Sequence, residues 1–231
     1  MPAALINGAD RLSQVPLFAG LDLDERTELA GRLRRRRYRK DEILFLRGDP
    51  GTFLYLLESG RVKIALTSTE GKEMVLALLG AGDFFGELAL IDGQPRSADA
   101  LVMEASELLL LARADWLRFV EARPPVALHV MTVLSQRLRQ TDELIHEAAF
   151  FDVPGRLAST LLRLADSIGQ QVGEGVTLGR RLTQVELAEM IGASRESVNK
   201  WLGFYERQGL VRNTRGLITV LRPDGLRQRA Y

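Results

Sequence analysis

Residues 85–97 read Phe85-Gly86-Glu87-Leu88-Ala89-Leu90-Ile91-Asp92-Gly93-Gln94-Pro95-Arg96-Ser97, residue types that together suit a buried phosphodiester carrying a sugar. Gly86 lets the backbone approach an anion closely. Arg96 neutralises it and binds it through a planar fork of donors, and Ser97 adds a hydroxyl. Glu87 serves the sugar instead, because a carboxylate repels phosphate but accepts well from a sugar hydroxyl. Successive backbone N–H groups in the turn complete an anion-binding concavity. In isolation the same residues also read as a hairpin with a paired surface Arg and Glu, so the context has to decide.

A second cluster, Thr183-Gln184-Val185-Glu186-Leu187-Ala188-Glu189-Met190-Ile191-Gly192-Ala193-Ser194-Arg195-Glu196-Ser197-Val198-Asn199-Lys200-Trp201-Leu202, reads as a helix-turn-helix. Thr183 and Glu186 have the spacing of a capping box, Gly192 permits a tight turn, and Ser194 caps a second helix. Leu187, Ala188 and Ile191 are predicted to face inward on the first helix, and Val198, Trp201 and Leu202 on the second. The outer face of the second helix then carries Arg195, Glu196, Asn199 and Lys200, side chains suited to base edges: Arg to guanine, Glu to the cytosine amino group, Lys to guanine or phosphate. Thr183, Ser194 and Ser197 are assigned to the DNA-contacting set near phosphates, which position a helix without reading sequence. Residues 210–212 and 217–220 predict a two-stranded wing with Arg215 available to a phosphate. An ordinary helical hairpin with a solvated face would not need this combination of caps, turn glycine and exposed donors.

The elements that must position these groups follow from periodicity. After a polar N-terminal stretch, residues 21–33 have helical spacing with Asp22 as cap. Residues 38–111 then show short β-rich runs at 42–46, 53–57, 61–66, 73–78, 98–102 and 107–111, separated by turn residues, which is the pattern of an antiparallel barrel or roll. The basic run 32–40 is expected as a solvated edge leading into the first strand. Residues 114–121 predict a short helix. Pro124 and Pro125 suit a first helical turn, opening a long helix to about Ala149. Met131, Leu134, Leu138, Thr141, Ile145 and Ala148 fall at alternating steps of three and four, a seam that predicts a partner helix and a symmetric homodimer. Val130, Val133 and Leu144 flank it, so the same helix can also lie on its own roll. Residues 150–155 look like a hinge centred on Phe151 and Asp152, 156–168 like a helix, and 169–179 like a glycine-rich connection.

Composition narrows the class. At 231 residues and 46% hydrophobic the chain buries one or two real cores. It has no cysteine, which excludes disulfides and Cys-bound zinc or iron–sulfur clusters and predicts a cytoplasmic setting. Apolar runs are too short to span a bilayer, so no membrane partner is expected. The net charge of +1 neither requires nor excludes nucleic acid.

With both motifs in hand, the chain resembles the CRP/FNR superfamily of bacterial transcription regulators, and more narrowly its cyclic-AMP receptor branch. The resemblance spans roughly residues 17–220. It implies an α+β architecture: an N-terminal antiparallel β-roll of jelly-roll type that binds a cyclic nucleotide, a long dimerisation helix, and a C-terminal winged helix-turn-helix. Boundaries are expected at 1–123, 124–151 and 152–231. It implies ligand contacts from Gly86, Glu87, Leu88, Arg96 and Ser97, with Ile64 lining the base pocket, Arg137 meeting the ribose-binding glutamate, and Thr141 bonding the base. Cyclic AMP follows as an allosteric ligand rather than a catalytic cofactor, with palindromic duplex DNA, a second copy of the chain and RNA polymerase as partners.

Two departures bear on ligand identity. Asp142 and Ala77 stand where the best-known cyclic-AMP receptor has serines, and Asp142 accepts from an adenine amino group or from a guanine edge. In the DNA-reading triplet Lys200 stands where the family has a second arginine, and Lys lacks the planar fork. Other signals for the same fold remain open: haem, cyclic di-GMP, a small acid, or none. A haem needs an axial ligand, and His129 and His146 both fall on the long helix, where surface or interface roles are expected. A cupin-type enzyme needs imidazoles inside the roll, but residues 38–111 contain none. The chain is therefore read as a non-enzyme.

Overall fold

The computed structural model describes residues 12–13, 15–71 and 73–230. Most of the expected polar N-terminal stretch lies outside them. The chain divides into two compact units: one holds Leu76–Leu138 and the residues up to Gly71, the other Arg139 onward and the short stretch ending at Val75.

In the first unit a 3-10 turn at Pro16–Phe18 precedes α1 (Leu23–Ala30). Asp22 starts α1 with a reciprocal cap: its side chain accepts from the Glu25 N–H at 2.8 Å, and the Glu25 carboxylate accepts from the Asp22 N–H at 2.9 Å. The roll follows as β1 (Arg34–Tyr38), β2 (Ile43–Phe45), β3 (Phe53–Thr67), β4 (Glu73–Leu79), β5 (Phe84–Phe85) and β6 (Asp99–Ala112), ordered β1-β6-β3-β4, with β2 on β6 and β5 on β3. Pairing is antiparallel, and side chains directly across from each other share a face. Leu54 and Leu56 stand opposite Leu111 and Leu109, while Tyr55 and Leu57 stand opposite Leu110 and Leu108. The first set joins the core shared with the helices, the second an inner core with Phe45, Val62, Phe85 and Ala100.

Three sequence expectations change here. The runs 53–57 and 61–66 are one strand, as are 98–102 and 107–111. The register shifts between Leu57 and Val62 absorb the intervening residues as a bulge instead of a turn. The basic run is a solvated sheet edge as expected, but instead of leading into the first strand it is, from Arg34, itself β1. Arg37 pairs with Glu107 on the adjoining β6 at 3.1 Å, and Arg35 with Glu58 on β3, one strand further in, at 2.8 Å.

Next come α2 (Glu87–Asp92), α3 (Arg113–Glu121) and α4 (Pro124–Phe150). Val126, Val130 and Val133 of α4 are buried with Phe18, Trp116 and Phe119. Leu134, expected in the outward seam, instead packs against this core. The exposed stripe is rotated accordingly to Leu128, Met131, Leu138 and Ile145, which are 65%, 55%, 62% and 62% exposed, three of them seven residues apart.

In the second unit only Phe151 and Asp152 separate α4 from α5 (Val153–Ile168). Asp152 caps α5, accepting from the Gly155 N–H at 2.9 Å. Residues 169–179, expected as a loop, form β7 (Gly169–Val172) and most of β8 (Gly175–Arg181). Their glycines signal a break, but pairing within the sheet β7-β8-β10-β9 overrides that signal. Then follow α6 (Gln184–Ile191), α7 (Arg195–Arg207), the hairpin β9 (Val211–Thr214) and β10 (Leu217–Val220), and α8 (Pro223–Arg227). Leu157, Leu161, Leu178, Leu187, Val198, Leu202 and Ile218 are buried. Trp201, expected inside, is only half-buried, and Tyr205 one turn later takes the interior place at 0% exposure.

The Tyr205 hydroxyl donates to the Pro154 carbonyl at 2.8 Å, tying α7 to the start of α5. Burial, and after it the nearby Asp152 carboxylate, pushes the phenol up from 10.0 to about 12. The folded form thus holds this proton more tightly than the unfolded chain. Its contribution is whole below pH 10.0 and is lost as pH rises toward 12. Tyr205→Phe is expected to cost about 1 to 2 kcal/mol at neutral pH in urea denaturation. The gap to wild type should narrow as the pH of the measurement is raised above 10.0.

Candidate functional site

The chemistry of residues 85–97 converges in the first unit on two buried charges, Arg96 and Glu87, 4% and 5% exposed. Gly86 precedes α2 with φ of 81°, a left-handed conformation open to glycine, and so turns the chain from β5 into the helix. The backbone of Arg96 is fixed by the β2–β3 turn: its N–H donates to the Asp49 carbonyl, and its carbonyl accepts from the Gly48 N–H, both at 2.9 Å. Its side chain donates from Nη1 to the Gly86 carbonyl at 2.9 Å and from Nη2 to the Phe53 carbonyl at 2.8 Å. The guanidinium lies 4.1 Å from the Phe45 ring centroid and 5.5 Å from that of Tyr55. Its Nε–H is buried and has no hydrogen-bond partner among the described residues. Burial lowers the Arg96 pKa, and the Tyr55 hydroxyl and then the Glu87 carboxylate oppose that shift. Burial likewise raises the Tyr55 phenol. The arrangement is a desolvated cation with a donor to spare, beside a carboxylate.

Glu87 in turn meets the long helix. Arg137 Nη1 donates to Glu87 Oε1 at 2.5 Å, Arg137 Nη2 donates to the Phe84 carbonyl at 2.7 Å, and the guanidinium sits 4.1 Å over the Phe84 ring. Gly86, Glu87, Arg96 and Arg137 are therefore brought together. Ile64 is half-buried against the inner core of the roll, while Ser97 and Leu88 are exposed. Thr141 and Asp142 are exposed on α4, in the stretch that belongs to the second unit. Four groups of the site have no signature in the sequence: the rings of Phe45 and Tyr55 and the carbonyls of Phe53 and Phe84. The alternation of residues 53–57 places Tyr55 in the core, but alternation cannot reveal which ring an arginine will cover.

The second unit presents the other chemistry. The Thr183–Glu186 capping box closes in both directions, at 3.1 and 2.7 Å. Gly192 turns the chain with φ of 60°, and the Ser194 hydroxyl accepts from the Ser197 N–H at 3.2 Å. Arg195, Glu196, Asn199 and Lys200 are all exposed on α7. Backbone hydrogen bonding, and then the Ser194 hydroxyl, hold the Glu196 carboxyl below its ordinary range, so it stands as a persistent acceptor. Lys200 Nζ lies 5.5 Å from the Trp201 ring. Asn199 is held by Gln184 of α6, a pairing that no local sequence pattern announces. In the wing, Arg215 is exposed at φ of 52°, a turn conformation that few non-glycine residues adopt. A cavity of about 620 Å³ elsewhere in this unit is lined by Thr177, Arg212, Thr219 and Arg222, none of them buried, and gathers no comparable set of donors.

Residues 35–123 match the cyclic nucleotide-binding domain family, and residues 155–229 match the Crp-like helix-turn-helix domain family. A CRP-like cAMP-activated global transcriptional regulator of Mycobacterium tuberculosis is 32% identical over 219 residues, 95% of this chain and 98% of that protein. The chain belongs to the CRP/FNR family of transcription regulators. The cyclic AMP receptor protein of Thermus thermophilus is 36% identical over 205 residues, covering 89% of this chain and 92% of that one. The solved structure of the c-di-GMP responsive global regulator CLP of Xanthomonas campestris is similar with a TM-score of 0.73 and 26% identity, over 86% of this chain and 99% of that one. These families and relatives are regulators, not enzymes. As a CRP/FNR family member the protein carries a cyclic nucleotide-binding domain and a DNA-binding helix-turn-helix. No helix among the described residues is long and apolar enough to cross a membrane, and no group of three or more His, Asp or Glu there is arranged to hold a metal ion. His129 is engaged elsewhere, with Nε2 2.5 Å from the Pro16 carbonyl, and His146 lies against the rings of Phe150 and Phe151.

A Cβ added at Gly86 would lie 2.5 Å from Arg96 Nη1 and 3.3 Å from the Phe53 carbonyl oxygen. Gly86→Ala therefore displaces the guanidinium as well as straining the turn. It is expected to lower stability by about 1 to 3 kcal/mol in urea denaturation, whereas Leu88→Ala on the exposed neighbour should stay within about 0.5 kcal/mol.

Proposed function

We propose that the protein is a homodimeric transcription regulator switched by a cyclic nucleotide, most simply cyclic AMP, which binds in the roll and controls palindromic operator DNA. The observation that carries this reading is the contact of Arg137 with Glu87. The same carboxylate that suits a ribose hydroxyl is held by the long helix, so a ligand that engages Glu87 shares its acceptor with a helix contact. In this reading Arg96, Gly86 and Ser97 take the phosphate, Glu87 and Leu88 flank the ribose, Ile64 lines the base, and Thr141 and Asp142 meet its edge. Phosphate suits Arg96 because a guanidinium has five donors, of which two are directed to carbonyls, and among the described residues its Nε–H has no hydrogen-bond partner. Only a ligand that interacts differently with two helix arrangements can shift their balance, and coupling of about 1 to 3 kcal/mol is normal for such a switch.

The exposed stripe Leu128, Met131, Leu138 and Ile145 supports a second copy as its partner. In the division proposed, residues 1–123 sense, 124–151 pair the subunits and end in a hinge at Phe151 and Asp152, and 152–231 bind DNA. Arg195, Glu196, Asn199 and Lys200 read bases, while Thr183, Ser194, Ser197 and Arg215 serve phosphates. Two reading helices must stand about 34 Å apart to enter successive major grooves. RNA polymerase is the partner that such a regulator addresses, and the cytoplasm its site of action.

A second reading of the ligand rests on Asp142. A carboxylate pairs with the two adjacent N–H donors of a guanine edge, whereas adenine offers one amino group. This favours a guanine cyclic nucleotide, including cyclic di-GMP of the kind named for the Xanthomonas relative. Calorimetry with cyclic AMP, cyclic GMP and cyclic di-GMP separates the readings, and Glu87→Ala should weaken the winning ligand by about tenfold or more. Nucleotide affinity untouched by Glu87→Ala would move the pocket elsewhere. Leu138→Glu is expected to yield monomers in sedimentation and to abolish tight operator binding while leaving the roll folded.

A further inference from the structure

Asn199, at the centre of the exposed face of α7, is not oriented by the helix alone. Gln184, the first residue of α6, is half-buried at the junction of the two helices, and its Nε2 donates to Asn199 Oδ1 at 2.9 Å. Gln184 is itself placed by the reciprocal Thr183–Glu186 cap, so its backbone cannot drift. A carboxamide has one acceptor side and one donor side. With the oxygen turned toward α6, the side of Asn199 left for a ligand is its NH2.

The consequence is chemical. Asn reads adenine by a two-point contact, donating to N7 while accepting from the N6 amino group. An Asn whose oxygen is turned toward a neighbouring glutamine has one lone pair occupied there and leads with its NH2. It therefore suits base edges that display acceptors: O6 and N7 of guanine, or O4 of thymine. Glu196, a persistent carboxylate, supplies the acceptor on the same face, and Arg195 and Lys200 supply further donors.

We propose that Gln184 is a specificity-determining residue that touches no base: by holding the Asn199 oxygen, it turns the Asn199 NH2 toward the duplex and sets the base preferred at that step of the operator. The inference rests on the reading of α7 as the helix that meets base edges.

The test uses the full-length protein and a duplex selected by it from a randomised pool, with and without cyclic AMP. Affinities are then measured for that duplex and for every single-base-pair variant of it. Asn199→Ala is expected to flatten preference at one position per half-site. Gln184→Ala should reduce discrimination at that same position by about three- to tenfold. The double variant should be no worse than Asn199→Ala alone. Gln184→Glu is the sharper variant, since a carboxylate cannot donate. It should accept from the Asn199 NH2, turn the Asn199 oxygen toward DNA, and move the preference to bases that display an amino group, adenine or cytosine. Thermal melting of each variant reports whether it is folded.

A Gln184→Ala effect equal on all duplexes, or additive with that of Asn199→Ala, overturns the proposal, as does an unchanged base preference in Gln184→Glu. Arg195→Ala is measured alongside. Should it leave every base preference intact, the assignment of α7 as the reading helix fails as well, and that failure is seen separately from one confined to Gln184.

Discussion

A guanidinium taken out of water has to be held by something, and in this roll the holding groups are backbone carbonyls and ring faces. Arg96 donates to the Gly86 and Phe53 carbonyls and lies over Phe45, with Tyr55 alongside. Its charge is desolvated enough that burial dominates its pKa, yet carbonyl dipoles do not cancel a full charge. The local fold follows from this constraint. The β2–β3 turn pins the Arg96 backbone, Gly86 adopts a conformation that leaves room for the guanidinium, and the aromatic residues of the inner core are spaced to flank it. The groups that hold the cation are neutral, and the one carboxylate beside it, Glu87, is engaged by Arg137.

Arg137 extends that organisation to α4. One side of this helix is fixed by Val126, Val130 and Val133 in the core, another carries exposed leucine, methionine and isoleucine, and Arg137 holds the carboxylate next to Arg96. The helix thus has apolar groups on two faces, and only one of them is buried among the described residues.

How much of this is legible in the sequence depends on whether the signal is local. Caps and turns are readable because their chemistry lies within four residues: Asp22 with Glu25, Thr183 with Glu186 and Gly192 before Ser194 all stand as their spacing implies. The cassette at 85–97 is readable as a set of residue types. What local patterns miss is long-range. Glycines at 169–179 look like a loop until sheet pairing is known, the arginines at 34–37 look like a lead-in until they are found to be the edge strand itself, and Leu134 belongs to the seam until the core claims it. Trp201 and Tyr205 exchange roles for a similar reason. Both lie on a plausible inner face, but the Pro154 carbonyl offers a buried phenol its partner. The pairing of Gln184 with Asn199 spans fifteen residues and two helices, beyond any local pattern.

Magnitudes also bear on the hinge proposed at Phe151 and Asp152. Glu147, in the last turns of α4, is buried and accepts from Ser159 at 2.5 Å and from Arg163 at 2.8 Å, both on α5. This clamp spans the two residues that separate the helices. A fully buried ion pair costs about 3 to 5 kcal/mol to break by losing one partner, and the Arg163 side chain is 37% exposed, so a lower figure of about 1 to 3 kcal/mol applies here. That is as large as the whole coupling an ordinary allosteric ligand supplies. A rearrangement that tears Glu147 from α5 would add a cost of that size to the proposed switch. Motions that keep the clamp avoid this cost. Such motions keep Glu147 on Ser159 and Arg163, with Asp152 still capping α5 and Tyr205 still bonded to Pro154.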